Sequence, residues 1–172
     1  MLQCCDRFAA TDESRKEVSL RNVFALRGTA TKGKSQTIRT AVELLTENHP
    51  DAIIEHNHTT KVDTRVVMTI NGWKIGIESQ SHPRTLVNAS LDLFVNLGCD
   101  VIVCATRSHG ATVNAVSALQ GFDIHWVQQP EESQPYEQIL RSLIIARQIV
   151  ANVETLIRTA KPAPARSMAA TA

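Results

Sequence analysis

The chain has 172 residues, 43% hydrophobic and 20% charged, with 18 Lys plus Arg against 17 Asp plus Glu. This is one domain's length with apolar surface enough for a core, which excludes intrinsic disorder, collagen-like repeats and a disulfide scaffold. A net charge of +1 and 4% aromatic residues give neither the basic footprint nor the stacking platforms of a nucleic-acid binder.

Residues 1–20 read as a polar lead-in, 21–160 as one domain and 161–172 as a solvated tail. No run is apolar for the roughly 18 residues a membrane helix needs. Met1-Leu2-Gln3-Cys4-Cys5-Asp6-Arg7 lacks the layout of a secretory signal, so a cytoplasmic setting is expected. Cys4, Cys5, Cys99 and Cys104 form no C-x-x-C pair, and Cys104 falls in an apolar run where a thiol packs as a small hydrophobe.

Asn22–Arg27 predicts the first strand. Gly28-Thr29-Ala30-Thr31-Lys32-Gly33-Lys34-Ser35 follows, fitting G-x-x-x-x-G-K-[ST] at every specified position. Ser35–Asn48 predicts a helix with Ile38, Ala41, Val42 and Leu45 on one face, stopped by His49-Pro50. The motif therefore joins a strand to a helix. In that setting its glycines let backbone amides curl into an anion nest, and the helix start adds unsatisfied N–H groups. Lys34 would reach β- and γ-phosphates, and the Ser35 hydroxyl would ligate Mg²⁺.

Ala52–Glu55 predicts a short strand. Arg65–Ile70 and Lys74–Glu78 flank Asn71-Gly72-Trp73 as a hairpin. A second helix is expected from about Pro83 to Gly98, with Leu86, Leu93, Phe94 and Leu97 inward. Val101–Ala105 is apolar throughout, as a central strand is. Ala111–Leu119 reads as a helix and Phe122–Val127 as the last strand. Tyr136–Thr159 reads as a long amphipathic helix with Ile139, Leu140, Leu143, Ile144, Val150, Val153 and Ile157 on its apolar stripe. The alternation predicts a three-layer αβα sandwich whose mainly parallel sheet holds one antiparallel hairpin strand.

Through Gly28–Ser35 the chain resembles the P-loop nucleoside triphosphatase superfamily. The resemblance implies a Mg-nucleoside triphosphate bound at the strands' C-terminal ends, against Gly28, Thr29, Ala30, Thr31, Lys32, Gly33, Lys34, Ser35 and Gln36. It also implies an acidic group for the magnesium and an orienter of the attacking group. Glu78, at a strand end, is the first choice for the acid and Glu55 the alternative; Gln80 would line the γ-phosphate. Asp100 precedes its strand and belongs at the opposite sheet edge. Arg107, at the tip of the most buried strand, is preferred over Arg84 as a charge-neutralising finger in cis.

Thr59-Thr60 through Glu78 looks like the switch and hairpin layout of small GTPases. Glu78-Ser79-Gln80-Ser81 stands where those carry D-x-x-G, and no N-K-x-D reader follows a later strand, so ATP is expected. His56, His58, His82 and His109 are expected at strand ends near the nucleotide; His56-x-His58 has one spacing used by metals. His49 and His125 read as structural.

The leading expectation is an ATPase that resets a conformational switch in residues 56–64 and 79–84. A small-molecule or nucleotide kinase is an alternative, weakened because Gln128–Pro135 lacks a lid arginine. A non-hydrolysing regulatory or assembly subunit is another. The long C-terminal helix offers a face for a homo-oligomer or protein partner.

Overall fold

A computed structural model describes residues 21–29, 33–60, 63–79 and 84–159. In chain order the elements are β1 (Arg21–Arg27), α1 (Lys34–Asn48), β2 (Ile53–Thr59), β3 (Thr64–Ile70), β4 (Trp73–Glu78), α2 (Arg84–Asn96), β5 (Val101–Thr106), α3 (Ala111–Ser117), β6 (Phe122–Gln128) and α4 (Pro135–Thr159). Six strands form one sheet in the order β2-β3-β4-β5-β1-β6.

The apolar runs of β1 and β5 place them side by side inside the sheet, where both faces are covered. β4–β5, β5–β1 and β1–β6 pair parallel, whereas β3 pairs antiparallel with both β2 and β4. β3 is thus the single strand running against the rest, as the Asn71-Gly72 hairpin requires. Those turn residues have φ of 50° and 82°, the left-handed pair that matches strand twist.

Helices cover both faces. α1 supplies Ile38, Ala41 and Leu45, and α4 supplies Ile145, Ile149 and Val153, against Phe24, Leu26, Ile75, Ile77 and Val103. On the other face Leu91 and Phe94 of α2 and Val116 of α3 cover Val23, Ala25, Val67, Ile102 and Cys104. Fully burying one such aliphatic or aromatic side chain contributes roughly 1.5–3 kcal/mol, so this burial fixes the register. Gly76 lies under Phe94, where a Cβ would meet the ring at 2.6 Å. Cys99 and Cys104 are free and buried, and burial pushes both thiols up to about 12. They pack as core hydrophobes, not nucleophiles. Among the described residues no helix is long and apolar enough to cross a membrane.

Two expectations are corrected. β2 runs on past Glu55 to Thr59; its polar residues are exposed, so no hydrophobic alternation marks its end. On α4, Ile139, Leu140 and Ile144 face outward. The first inward turns of that helix belong instead to Gln138 and Ser142, followed by Ile145, Ala146 and Ile149.

Candidate functional site

α1 leaves β1 over one face of the sheet, and α3 leaves the neighbouring β5 over the other. Chains that part in this way open a crevice at the C-terminal ends of the two strands. Gly28 and Gly33 lie on one side of that crevice and the turn carrying Arg107 on the other. Arg27 Nε donates to the Ser108 carbonyl at 2.7 Å and ties the two strand ends together.

Gly33 enters α1 at φ 87°, a conformation that disfavours a Cβ. Its carbonyl accepts from the Thr37 amide at 2.8 Å, the Thr37 hydroxyl at 3.0 Å and the Ser142 hydroxyl at 3.4 Å. Gly28 is required for a different reason. A Cβ there would stand 2.7 Å from the Gln129 carbonyl, because the Gln129 amide continues the ladder by donating to Arg27 O at 2.8 Å.

Among the described residues no side chain caps α1, and its first turn holds no acidic residue. The first N–H groups of such a helix lack intrahelical acceptors and carry its positive dipole end. Lys34 begins the helix and is only 4% exposed. Its ammonium folds back to donate to the carbonyls of Gly28, at 3.2 Å, and Thr29. Burial, and secondarily the Arg107 charge, hold it below the usual lysine range. Two cations and an uncapped helix start therefore share one small region, an arrangement that favours a bound polyanion.

Ser35 is half-buried and Gln36 exposed on the same first turn. Ala30, Thr31 and Lys32 of the motif, with Gln80 and His82, lie outside the described residues. Arg107 stands where the sequence placed it, its amide donating to the Thr112 hydroxyl at 3.0 Å.

The acidic candidates separate. Glu78 does reach the C-terminal end of β4, but β5 lies between it and β1. It pairs with Cys104, which pairs with Ala25, and these two side chains belong to the α2/α3 face. Glu78 therefore points away from the α1 face, because directly paired residues share a face. Its buried carboxylate accepts from Arg65 Nε at 2.7 Å, while the same guanidinium donates to Ser90 Oγ.

Glu55, the alternative metal ligand expected from the sequence, belongs to the opposite edge. It sits at the β2 bulge and meets Lys74 Nζ at 2.9 Å, beside the start of β4. Lys74 and the Thr69 hydroxyl hold its carboxyl below the usual range despite some opposing desolvation. Asp100 is found at that same edge as expected, accepting from the Lys74 amide at 2.9 Å.

Among the described residues the histidines do not gather. His56 and His58 lie exposed within β2, at the far side of the sheet from β1. His109 shares a hydrogen bond with Ser108 at 3.0 Å. His125 stacks on Phe24 and bonds Asn22 Oδ1 at 2.9 Å, and His49 meets Glu154 at 3.4 Å, in keeping with structural roles. No group of three or more His, Cys, Asp or Glu able to hold a metal occurs among the described residues. Magnesium needs no such cage. It keeps waters and binds through one or two protein groups plus phosphate oxygens, which the Ser35 hydroxyl with a triphosphate can satisfy.

Sequence reasoning missed the residues behind the loop. The Thr37 hydroxyl lies 2.7 Å from Gln129 Oε1, Gln138 abuts Gly33, and Thr29 Oγ1 donates to Glu131 at 3.2 Å. All three acidic or amide partners come from β6–α4, about 100 residues along the chain, and no local pattern marks them. No family model matches the chain, and no curated protein matches it.

Proposed function

We propose that the chain binds a magnesium-complexed nucleoside triphosphate, ATP by preference, along Gly28–Gln36, and hydrolyses it as a small P-loop triphosphatase. The observation that carries this reading is the recoil of Lys34 onto the carbonyls of Gly28 and Thr29 at an uncapped helix start. A buried ammonium whose partners among the described residues are nearby carbonyls is poised to exchange them for phosphate oxygens, which are stronger, charged partners.

On this reading the first amides of α1 hold the phosphates and Lys34 bridges the β- and γ-groups. The Ser35 hydroxyl would hold magnesium, which would supply positive charge to the phosphates. Arg107 faces charge developing on the transferred phosphoryl group. Glu78 would serve the outer water shell of the metal only after leaving both Arg65 and the α2/α3 face, and Gln80 would orient the attacking water. ATP is preferred because Thr106–His109 and Gln128–Pro130 present no guanine-reading N-K-x-D. Segments 56–64 and 79–84 are the proposed switch, and the free thiols Cys99 and Cys104 suit the cytoplasm.

A second reading, a nucleotide-binding subunit without turnover, draws support from the Glu78–Arg65 pair, which engages the leading acidic candidate. Phosphate release from ATP and GTP, with and without candidate acceptors, tests both. The ATPase reading predicts acceptor-independent release, abolished by Lys34→Ala and lowered ~10³-fold by Arg107→Ala, as for arginine fingers. Saturable binding without release supports the non-hydrolysing subunit. ADP formed only with an acceptor overturns both in favour of a kinase.

A further inference from the structure

A cavity of about 410 Å³ lies between the first turn of α1 and the start of α4, opening beside Gly33. That volume falls within the ~300–1,000 Å³ typical of small-molecule sites. Pro135 and Ile139 provide an apolar wall, while Gln36, Ser133 and Gln138 supply polar groups. A triphosphate on the loop would leave its organic end near this opening.

Gln138 is the informative residue. It is 8% exposed, and its Oε1 accepts the Glu132 amide at 3.1 Å. A backbone N–H can face only the oxygen of a side-chain amide, so that bond fixes which end is which. Gln138 Nε2 must then lie on the Gly33 side, 2.3 Å from where a Cβ would stand, and among the described residues it has no hydrogen-bond partner. Buried donors in native proteins are nearly always satisfied, so an orphan beside a cavity marks where a ligand atom belongs. Gln138 can offer only a donor here; the missing partner must be an acceptor.

We infer that this cavity seats the heterocycle and sugar of the nucleotide, with Gln138 donating to a ring nitrogen, ring carbonyl or sugar oxygen. The inference rests on the proposed triphosphate reading and adds a specificity site to it. Pro135 and Ile139 would lie against the ring. The Glu132 carboxylate, held by Arg141 at 2.8 Å, lines the same cavity and can accept from an exocyclic amino group.

Calorimetric titration with magnesium ATP and with magnesium tripolyphosphate tests this on the full chain. The wild type should bind ATP at least ~tenfold more tightly than tripolyphosphate, the worth of one good buried hydrogen bond. Gln138→Leu should erase that difference by weakening ATP alone. Ile139→Asp, at a residue 63% exposed and so tolerant of the change, should do the same even if the buried variant fails to fold. Equal wild-type affinity for the two ligands, or equal losses for both in Ile139→Asp, overturns the nucleoside site while leaving the phosphate loop standing. Failure of the wild type to bind either ligand overturns the triphosphate reading itself.

Discussion

In Lys34 the cost of a buried charge is set against its proposed role. Its charge is buried, and burial with the nearby Arg107 holds its pKa below the ordinary 10.5. The sign follows directly. The folded state penalises the charged form, so near neutral pH Lys34 destabilises the ligand-free fold, and the penalty fades as pH rises through the lowered pKa toward 10.5. Lys34→Met removes the titration. Urea unfolding at several pH values should therefore show the wild type gaining stability relative to Lys34→Met between pH 7 and 10. A constant difference across that range would mean that the ammonium is not desolvated. Arg27 and Gln129 act differently, holding the strand ends and the loop in register through backbone carbonyls.

Among the elements, the β4–α2 contact makes the sharpest claim. Phe94 fills the space that a side chain at position 76 would take. Gly76→Ala should destabilise by about 1–3 kcal/mol, the usual cost of overpacking a closed core. Denaturant midpoints at unchanged m-value would check it, and a neutral effect would show that α2 yields freely. This contact had no signature in the sequence, which places Gly76 in a strand without saying what lies above it. Local chemistry made other features legible. Asn71-Gly72 announced the hairpin, the Val101–Ala105 run announced a central strand, and Ile38, Ala41 and Leu45 announced the buried face of α1. The strand-to-helix placement of Gly28–Ser35 was legible for the same reason. What stayed hidden depends on distant packing. Ile139, Leu140 and Ile144 look like a core stripe, yet Gln138 and Ser142 take the inward positions because the Gly33 loop lies there. Glu55 looks like a strand terminus because the polar His56–Thr59 extension is held by backbone pairing with β3.

For the whole molecule, strand order decides which expectations meet. Placing β1 between β5 and β6 brings Gly28, the Gly33 end of α1, the Arg107 turn and the Gln129–Gln138 segment to one edge of the sheet. The same order sends β2, with Glu55, His56 and His58, to the far side. Each crossover obeys one hand: α1 leads toward β2 over one face, while α2 and α3 lead the opposite way over the other. On the proposed function anion binding is confined to a single edge, and the response to ligand is local. Amide chemical shifts in a ¹⁵N-labelled sample titrated with magnesium ATP read that response residue by residue. The amides of Gly33, Lys34 and Ser35 should move saturably and furthest, with Arg107 and Gln129 following, and Lys34→Ala should abolish the pattern. Unmoved amides at 33–35, or shifts centred on another edge of the sheet, would contradict the account.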